Sequence, residues 1–251
     1  IHRMDPRTKL FGTLIFIISV FLFHSVAGYA VATLFLAGMI IISQVPVKFI
    51  FKGLKAIFMI LMITMVFNIL LTPGEVLWKI GIFKITREGI SIAVRMAIRL
   101  VYLVIGSSLM TLTTTPNQLT DGLERLLRPL NKLHVPIHEI AMMMSIALRF
   151  IPILMEETDK IMKAQIARGA DFETGNIIQK AKNMIPLLVP LFISAFRRAN
   201  DLAMAMEARC YHGGDNRTQM KPLRYESRDY ISYVVMWAYL GIAIVFRIVG
   251  I

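Results

Sequence analysis

Residues 10–47 read LFGTLIFIISVFLFHSVAGYAVATLFLAGMIIISQVPV and contain no Asp, Glu, Lys or Arg. One membrane helix needs about 20 apolar residues, so this run has room for two short spans. Backbone amides in hydrocarbon must bond within their own segment, which makes both passes helical. His24, Ser25 and Gly28 mark the turn between them. Arg3, Arg7 and Lys9 before the run resemble the basic start of a secretory leader. A leader's apolar region is far shorter, so the segment reads as a first span.

Composition extends that reading to the whole chain. Its 251 residues are 56% hydrophobic, and a mean hydropathy of +0.64 excludes an ordinary soluble domain of this length. Lys48, Lys52 and Lys55 precede a third span, from about Ala56 to Leu71, which Thr72-Pro73-Gly74 stops. A fourth runs from about Gly89 to Thr113. After a polar block, Tyr230 to Phe246 is uncharged, carries Tyr and Trp at interfacial positions and is closed by Arg247. The expected fold is an all-α polytopic membrane protein of about five transmembrane helices. Its parts are a membrane domain over 1–113, a helical block over 114–229 and a last transmembrane helix over 230–251.

The net charge of +12 comes from basic residues that punctuate apolar runs and form no basic face. That pattern suits anionic headgroups and membrane orientation, not nucleic acid. Arg3, Arg7 and Lys9 lie on one side, and Lys48, Lys52 and Lys55 return to it after two crossings, which makes that side cytoplasmic. The loop from Thr72 to Glu88 then lies outside, although it holds Lys79, Lys84 and Arg87. The block from Thr114 to Asp229 lies inside. The single cysteine, Cys210, excludes an internal disulfide.

Three helices are predicted in the block. Thr115-Pro116-Asn117-Gln118 reads as a capping box with proline at the first helical position. A short helix follows, with Leu119, Leu123, Leu126, Leu127 and Leu130 on one face, ending near Pro129. A second runs from near Pro136 to Arg168 with a stripe of Ile140, Met144, Ala147, Ile151, Leu154, Thr158, Ile161 and Gln165. Its opposite face carries Arg149, Glu156, Lys160 and Lys163. A third runs from about Asn176 to Cys210, kinked at Pro186 and Pro190. Within it, Asn183 to Phe196 is uncharged but too short to span, and is expected against its neighbours or in the membrane interface.

Both long helices close on an arginine between two small residues, Ala167-Arg168-Gly169 and Ala208-Arg209-Cys210. An arginine in a last helical turn complements the negative end of the macrodipole. Two copies with small flanks also suit a pair of pegs for a partner. The planar guanidinium makes several fixed hydrogen bonds to carboxylates or carbonyls.

Catalytic signals are weak. The chain has no G-x-x-x-x-G-K-[ST] loop, so an ATP site would belong to another chain. His134 and His138 are four apart, but Pro136 between them marks a helix start, and Glu139 does not complete H-E-x-x-H. Arg95 and Arg99 sit one turn apart in the fourth span, either snorkelling to the outer interface or paired within it. Of the 17 methionines, Met142, Met143, Met144, Met155 and Met162 share one helix. They read either as flexible core filler or as an adaptable apolar surface open to several partners.

On these residues the chain resembles the T component of energy-coupling factor (ECF) transporters, the membrane scaffold of a class of ABC importers. The resemblance covers nearly the whole chain. It rests on Asp5-Pro6-Arg7-Thr8-Lys9, Thr111-Leu112-Thr113-Thr114, Ala147-Leu148-Arg149-Phe150-Ile151-Pro152, AQIARGADF over 164–172, IPLLV over 185–189 and AMEARC over 205–210. It implies that the cytoplasmic helices are coupling helices joining two ABC ATPase subunits, expected as a heterodimer, to a small membrane-embedded S component that captures a vitamin or related micronutrient. It also implies that Arg168 and Arg209 dock into grooves on the ATPases. Cys210 stands where the family often has glycine. This chain is then expected to be non-catalytic, with no cofactor of its own, ATP and Mg lying on the ATPases, in a prokaryotic plasma membrane. The methionine surface would contact the S component. Two alternatives stay open: a dedicated T component of a cobalt, nickel or biotin system, and a membrane enzyme using Arg95, Arg99, His134 and His138.

Overall fold

A computed structural model describes residues 1–23, 25–80, 83–133, 135–172, 174, 176–213 and 222–249. The elements run α1 (Pro6–Leu22), α2 (Val26–Ser43), α3 (Val47–Leu71), β1 (Val76–Ile80), β2 (Phe83–Thr86), α4 (Arg87–Thr113), α5 (Pro116–Leu127), a 3-10 helix (Arg128–Leu133), α6 (Ile137–Ala167), α7 (Ile177–Asn183), α8 (Ile185–Ala208) and α9 (Ser227–Val249). They form two compact units, Ile1–Gly122 with Pro222–Ile251, and Leu123–Lys221.

Local chemistry sets the boundaries in the first unit. Asp5 caps α1 by accepting from the Arg7 amide, with Pro6 in the first turn where a missing N–H costs nothing. Ser25 caps α2 through the Gly28 amide at 3.1 Å, so Gly28 belongs to the helix and not to the turn. His24, the third residue expected at that turn, lies outside the described residues. Thr86 caps α4 through the Gly89 amide at 3.1 Å and donates to the Thr72 carbonyl at 2.8 Å, which ties the end of α3 to the start of α4. A Cβ at Gly89 would stand 3.0 Å from the Asn68 carbonyl oxygen, so this crossing needs glycine.

The expected loop between the third and fourth spans holds an antiparallel hairpin. Val76 faces Thr86 and Ile80 faces Phe83, with a bulge between Val76 and Trp78. Two runs rich in β-branched and aromatic residues, two residues apart, carry that preference, and loop assignment by charge does not register it. The layers remain all-α.

An aromatic core holds α1, α2, α4 and α9 together. Phe35 stacks on Tyr239 with ring centroids 4.1 Å apart, and Phe16, Val20, Phe23 and Ala243 are buried around them. The Tyr239 hydroxyl is 2.8 Å from that of Ser19 and so is satisfied, whereas the buried Tyr29 hydroxyl of the same cluster has no partner among the described residues. Gly106 of α4 lets the Phe16 ring approach; a Cβ there would stand 2.7 Å from it. By contrast α3 packs mainly on α4 and leaves Phe58, Met59, Ile60 and Phe67 exposed, an apolar surface that suits lipid.

Among the described residues, α3, α4, α6 and α9 are long and apolar enough to cross a membrane. The paired short spans expected from residues 10–47 are α1, with 17 residues, and α2, with 18. Helix α6 is among those four, although the positive charges of the N-terminus and of Lys48, Lys52 and Lys55 set the expectation that block 114–229 lies inside.

The second unit is built on α6 and α8. The expected third helix is in two pieces, α7 and α8, divided at Met184. Pro186 has no N–H for the bond back to Lys182, so the ladder breaks there and restarts with proline in the first turn of α8. The capping box forms as expected: Thr115 N–H donates to Gln118 Oε1 at 3.2 Å and Gln118 N–H to Thr115 Oγ1 at 3.4 Å.

Candidate functional site

Helices α6 and α8 end in the same hydrogen-bond pattern. At the first end Gly169 N–H donates to the Ile166 carbonyl at 2.9 Å and Ala170 N–H to that of Gln165 at 3.0 Å. At the second, Cys210 N–H donates to the Glu207 carbonyl at 2.8 Å and Tyr211 N–H to that of Met206 at 3.1 Å. Both are left-handed caps, with Gly169 at φ +88° and Cys210 at φ +56°. Arg168 and Arg209 hold the equivalent cap position, at φ −88° and −95°. Ala167, Arg168, Gly169, Ala208, Arg209 and Cys210 are all exposed. The caps satisfy carbonyls that an arginine side chain would otherwise bind, which leaves each guanidinium free to reach outward.

The two ends point apart because α6 and α8 run antiparallel. Gln165 lies against Pro186, while Glu157 meets Ser194 and Arg198 further along α8. Glu157 accepts from the Ser194 hydroxyl at 2.8 Å and from the Arg198 guanidinium at 2.5 Å. Those two bonds, Ser194 first, hold its carboxyl below its ordinary value. With α8 24 residues long and a rise of about 1.5 Å per residue, the arginines stand roughly 36 Å apart along the pair.

The packed face of α6 differs from the expected stripe. Leu154, Thr158, Ile161 and Gln165 are half-buried, whereas Ile140, Met144, Ala147 and Ile151 are exposed and Ile146, Phe150 and Ile153 turn inward instead. The N-terminal half of α6 is apolar nearly all round, so periodicity alone singles out no face there. Four of the five named methionines are exposed, Met143, Met144, Met155 and Met162, while Met142 is half-buried. Helix α8 adds an apolar surface that the sequence left between packing and interface: Ile185, Val189, Phe192, Ile193 and Phe196 are exposed.

The remaining candidates separate. His138 Nδ1 lies 3.0 Å from Glu124 Oε1, and His134 lies outside the described residues. No group of three or more His, Cys, Asp or Glu among the described residues is placed to hold a metal. Arg95 is exposed; Arg99 is half-buried with its guanidinium 5.1 Å from the centre of the Phe21 ring, a cation–π contact.

Sequence reasoning missed a polar junction between the N-terminal ends of α1 and α9 and the C-terminal end of α4. Asp5 N–H donates to Asp229 Oδ1 at 2.9 Å, and Glu226 N–H to Asp229 Oδ2 at 2.9 Å. Arg7 grips Asp5 through two side-chain bonds of 3.0 and 2.8 Å and lies 4.0 Å over the Tyr225 ring. Burial and then the neighbouring Tyr233 push the Tyr225 hydroxyl up to about 12. Lys9 Nζ donates to the Thr113 carbonyl at 2.7 Å, which puts the start of α1 and the end of α4 at one level. The visible signal is an acidic residue at the start of each helix, Asp5 directly before Pro6 of α1 and Asp229 in the first turn of α9.

Comparison with known proteins bears on this arrangement. A family model described as "CbiQ: Cobalt transport protein" matches residues 1–220. The chain is 56% identical over 250 residues to the energy-coupling factor transporter transmembrane protein EcfT of Clostridium kluyveri, covering 99% of this chain and 93% of that one. It is 53% identical over 234 residues to the protein so named from Thermosediminibacter oceani (93% and 88%). The corresponding Bacillus subtilis protein is 49% identical over 244 residues (96% and 92%). Matches of this length run through the membrane helices and both arginine-tipped ends alike. The chain therefore belongs to the CbiQ family, among the energy-coupling factor transporter transmembrane proteins.

Proposed function

We propose that the chain is the scaffold and coupling subunit of an importer, transmitting ATP hydrolysis by two partner ATPases to a substrate-binding S component. The observation that carries this reading is the matched pair of capped ends presenting Arg168 and Arg209 roughly 36 Å apart, a spacing that suits one arginine for each of two ATPase subunits. Each guanidinium would seat in a groove of its ATPase, and the closing of the pair would move α6 and α8 as levers. The chain performs no chemistry itself; ATP and Mg belong to the ATPases. A vitamin or related micronutrient is the substrate class, taken up by an S component resting on the exposed methionines of α6.

On this reading residues 123–221 would lie on the cytoplasmic side, as the positive-inside count suggests. Helix α6 is apolar enough to span, but its C-terminal half carries Glu156, Glu157, Asp159, Lys160 and Lys163, which are costly in hydrocarbon. It would lie in the inner interface with the apolar half toward lipid or the S component. Cysteines placed at Thr174 and Glu75 in a Cys210→Ser background test this. Membrane-impermeant reagent should label Glu75→Cys in intact cells and leave Thr174→Cys unlabelled; the reverse would overturn the placement.

The coupling role is tested by Arg168→Ala with Arg209→Ala. A desolvated interface arginine contributes about 2 kcal/mol or more to binding, so the double variant should lose ATPase association and substrate uptake while its membrane helices stay folded. Wild-type uptake would end the docking role. A second reading, a dedicated subunit for a single metal substrate, draws on the cobalt-transport description of the family. Copurification of several S components rather than one decides against it.

A further inference from the structure

The first unit contains a cavity of about 400 Å³ between α1, α2, α4 and α9. Its floor is apolar, with Phe16, Gly106 and Leu109, and it opens between Ile42 of α2 and Ile231 and Val235 of α9, all three exposed. At the end where α1 and α9 begin, its wall changes character to Thr8, Lys9 and Arg228. Among the described residues no acidic side chain lines it, while Asp5 and Asp229 lie close enough behind the wall to act on Lys9.

Three features of that polar end point to an anion. Thr8 is wholly buried, and its hydroxyl has no hydrogen-bond partner among the described residues. Lys9 spends two of its three N–H bonds on the carbonyls of Thr113 and His2, which leaves one to donate. The Arg228 side chain is 62% exposed, and its ion pair with Glu226 is long at 3.9 Å. A buried hydroxyl with nothing to bond is unfavourable unless an occupant supplies the partner.

Size decides what kind of occupant fits. A helix about 10 Å across can enter such a cavity only with the side chains of one flank, whereas a single acyl chain fits along its length. A groove that is apolar along its length, cationic at one end and open at its flank to the bilayer matches a lipid with an anionic head. We propose that this cavity binds one anionic phospholipid, an acyl chain lying along Phe16 and Leu109 and the headgroup phosphate held by Thr8, Lys9 and Arg228. Bound there, the lipid would wedge α9 against α1 beside the Asp5–Asp229 junction. Basic pockets between membrane helices near the inner leaflet are suited to such headgroups.

The test uses the full chain, purified in detergent, delipidated and titrated with phosphatidylglycerol or phosphatidylcholine in mixed micelles, with bound lipid counted by native mass spectrometry. Wild type should retain one phosphatidylglycerol and at least about tenfold less phosphatidylcholine. Arg228→Glu should lower phosphatidylglycerol retention about tenfold. Val235→Trp, which fills the flank, should exclude both lipids, and Arg247→Glu at the far end of α9 should change nothing. Arg228→Gln serves if the charge reversal fails to fold, with a smaller loss expected. Equal retention of the two lipids, wild-type retention in the Arg228 or Val235 variants, or equal loss in Arg247→Glu would each overturn the proposal. So would cross-linking of Ile231→Cys into a partner helix in the assembled transporter.

Discussion

The side-chain amide of Gln165 in α6 donates to the backbone carbonyl of Pro186 in α8 at 3.3 Å. That carbonyl would ordinarily accept from the residue four positions on, but position 190 is proline and has no N–H. One helix thus supplies the bond that the other's sequence removes.

Replacing Gln165 by Ala should therefore destabilise the α6–α8 pair by about 1 kcal/mol, the scale of a hydrogen bond lost to a backbone acceptor. In a Pro190→Ala background the restored N–H takes the same carbonyl, so the second loss should be smaller. A double-mutant cycle on thermal unfolding in detergent measures the difference. Equal losses in both backgrounds would refute the compensation.

Asp229 is 1% exposed and accepts from two backbone N–H groups, those of Asp5 and Glu226. Asp229→Ala should cost roughly 2–4 kcal/mol, since both donors are left unpaired. Asp229→Asn keeps one carbonyl-type acceptor and should cost about half as much. Chemical denaturation of the purified chain provides the comparison.

Cys210 holds a left-handed conformation that costs a residue with a Cβ about 1 kcal/mol or more. Cys210→Gly should raise stability by about 0.5 kcal/mol after the extra freedom of glycine in the unfolded chain is subtracted. Uptake should be retained, because Arg209 keeps its cap position. Gly169→Val should do the opposite at the other end. Melting temperatures of the two variants would shift in opposite directions.

Glu157 titrates below its ordinary value because Ser194 and Arg198 bond its ionised form. A depressed folded value means that this contact stabilises fully above the unfolded carboxylate value of about 4.3, and is lost as pH falls through the folded value. The α6–α8 pair should then be insensitive to pH between about 7 and 5 and loosen below that. Glu157→Gln should remove the acid dependence. Hydrogen exchange in α8 across the pH series, corrected for intrinsic rates, would reveal it.

The apolar membrane helices, the capping box of α5 and the two arginine-tipped ends were legible in the chain because each depends on neighbours a few positions away. Apolar runs such as 10–47, the Thr115–Gln118 box and the small residues after Arg168 and Arg209 are local properties that any environment leaves visible. Tertiary structure decided what local pattern could not. Asp5 meets Asp229 across 224 positions, an association fixed by packing of α1 on α9 and not by either sequence neighbourhood. It also selected which side of α6 faces α8, because a helix end that is apolar all round has no preferred face until a partner covers one. The antiparallel run of α6 and α8, which sends Arg168 and Arg209 to opposite ends, follows from that packing. The arginines themselves are local; the distance between them is not.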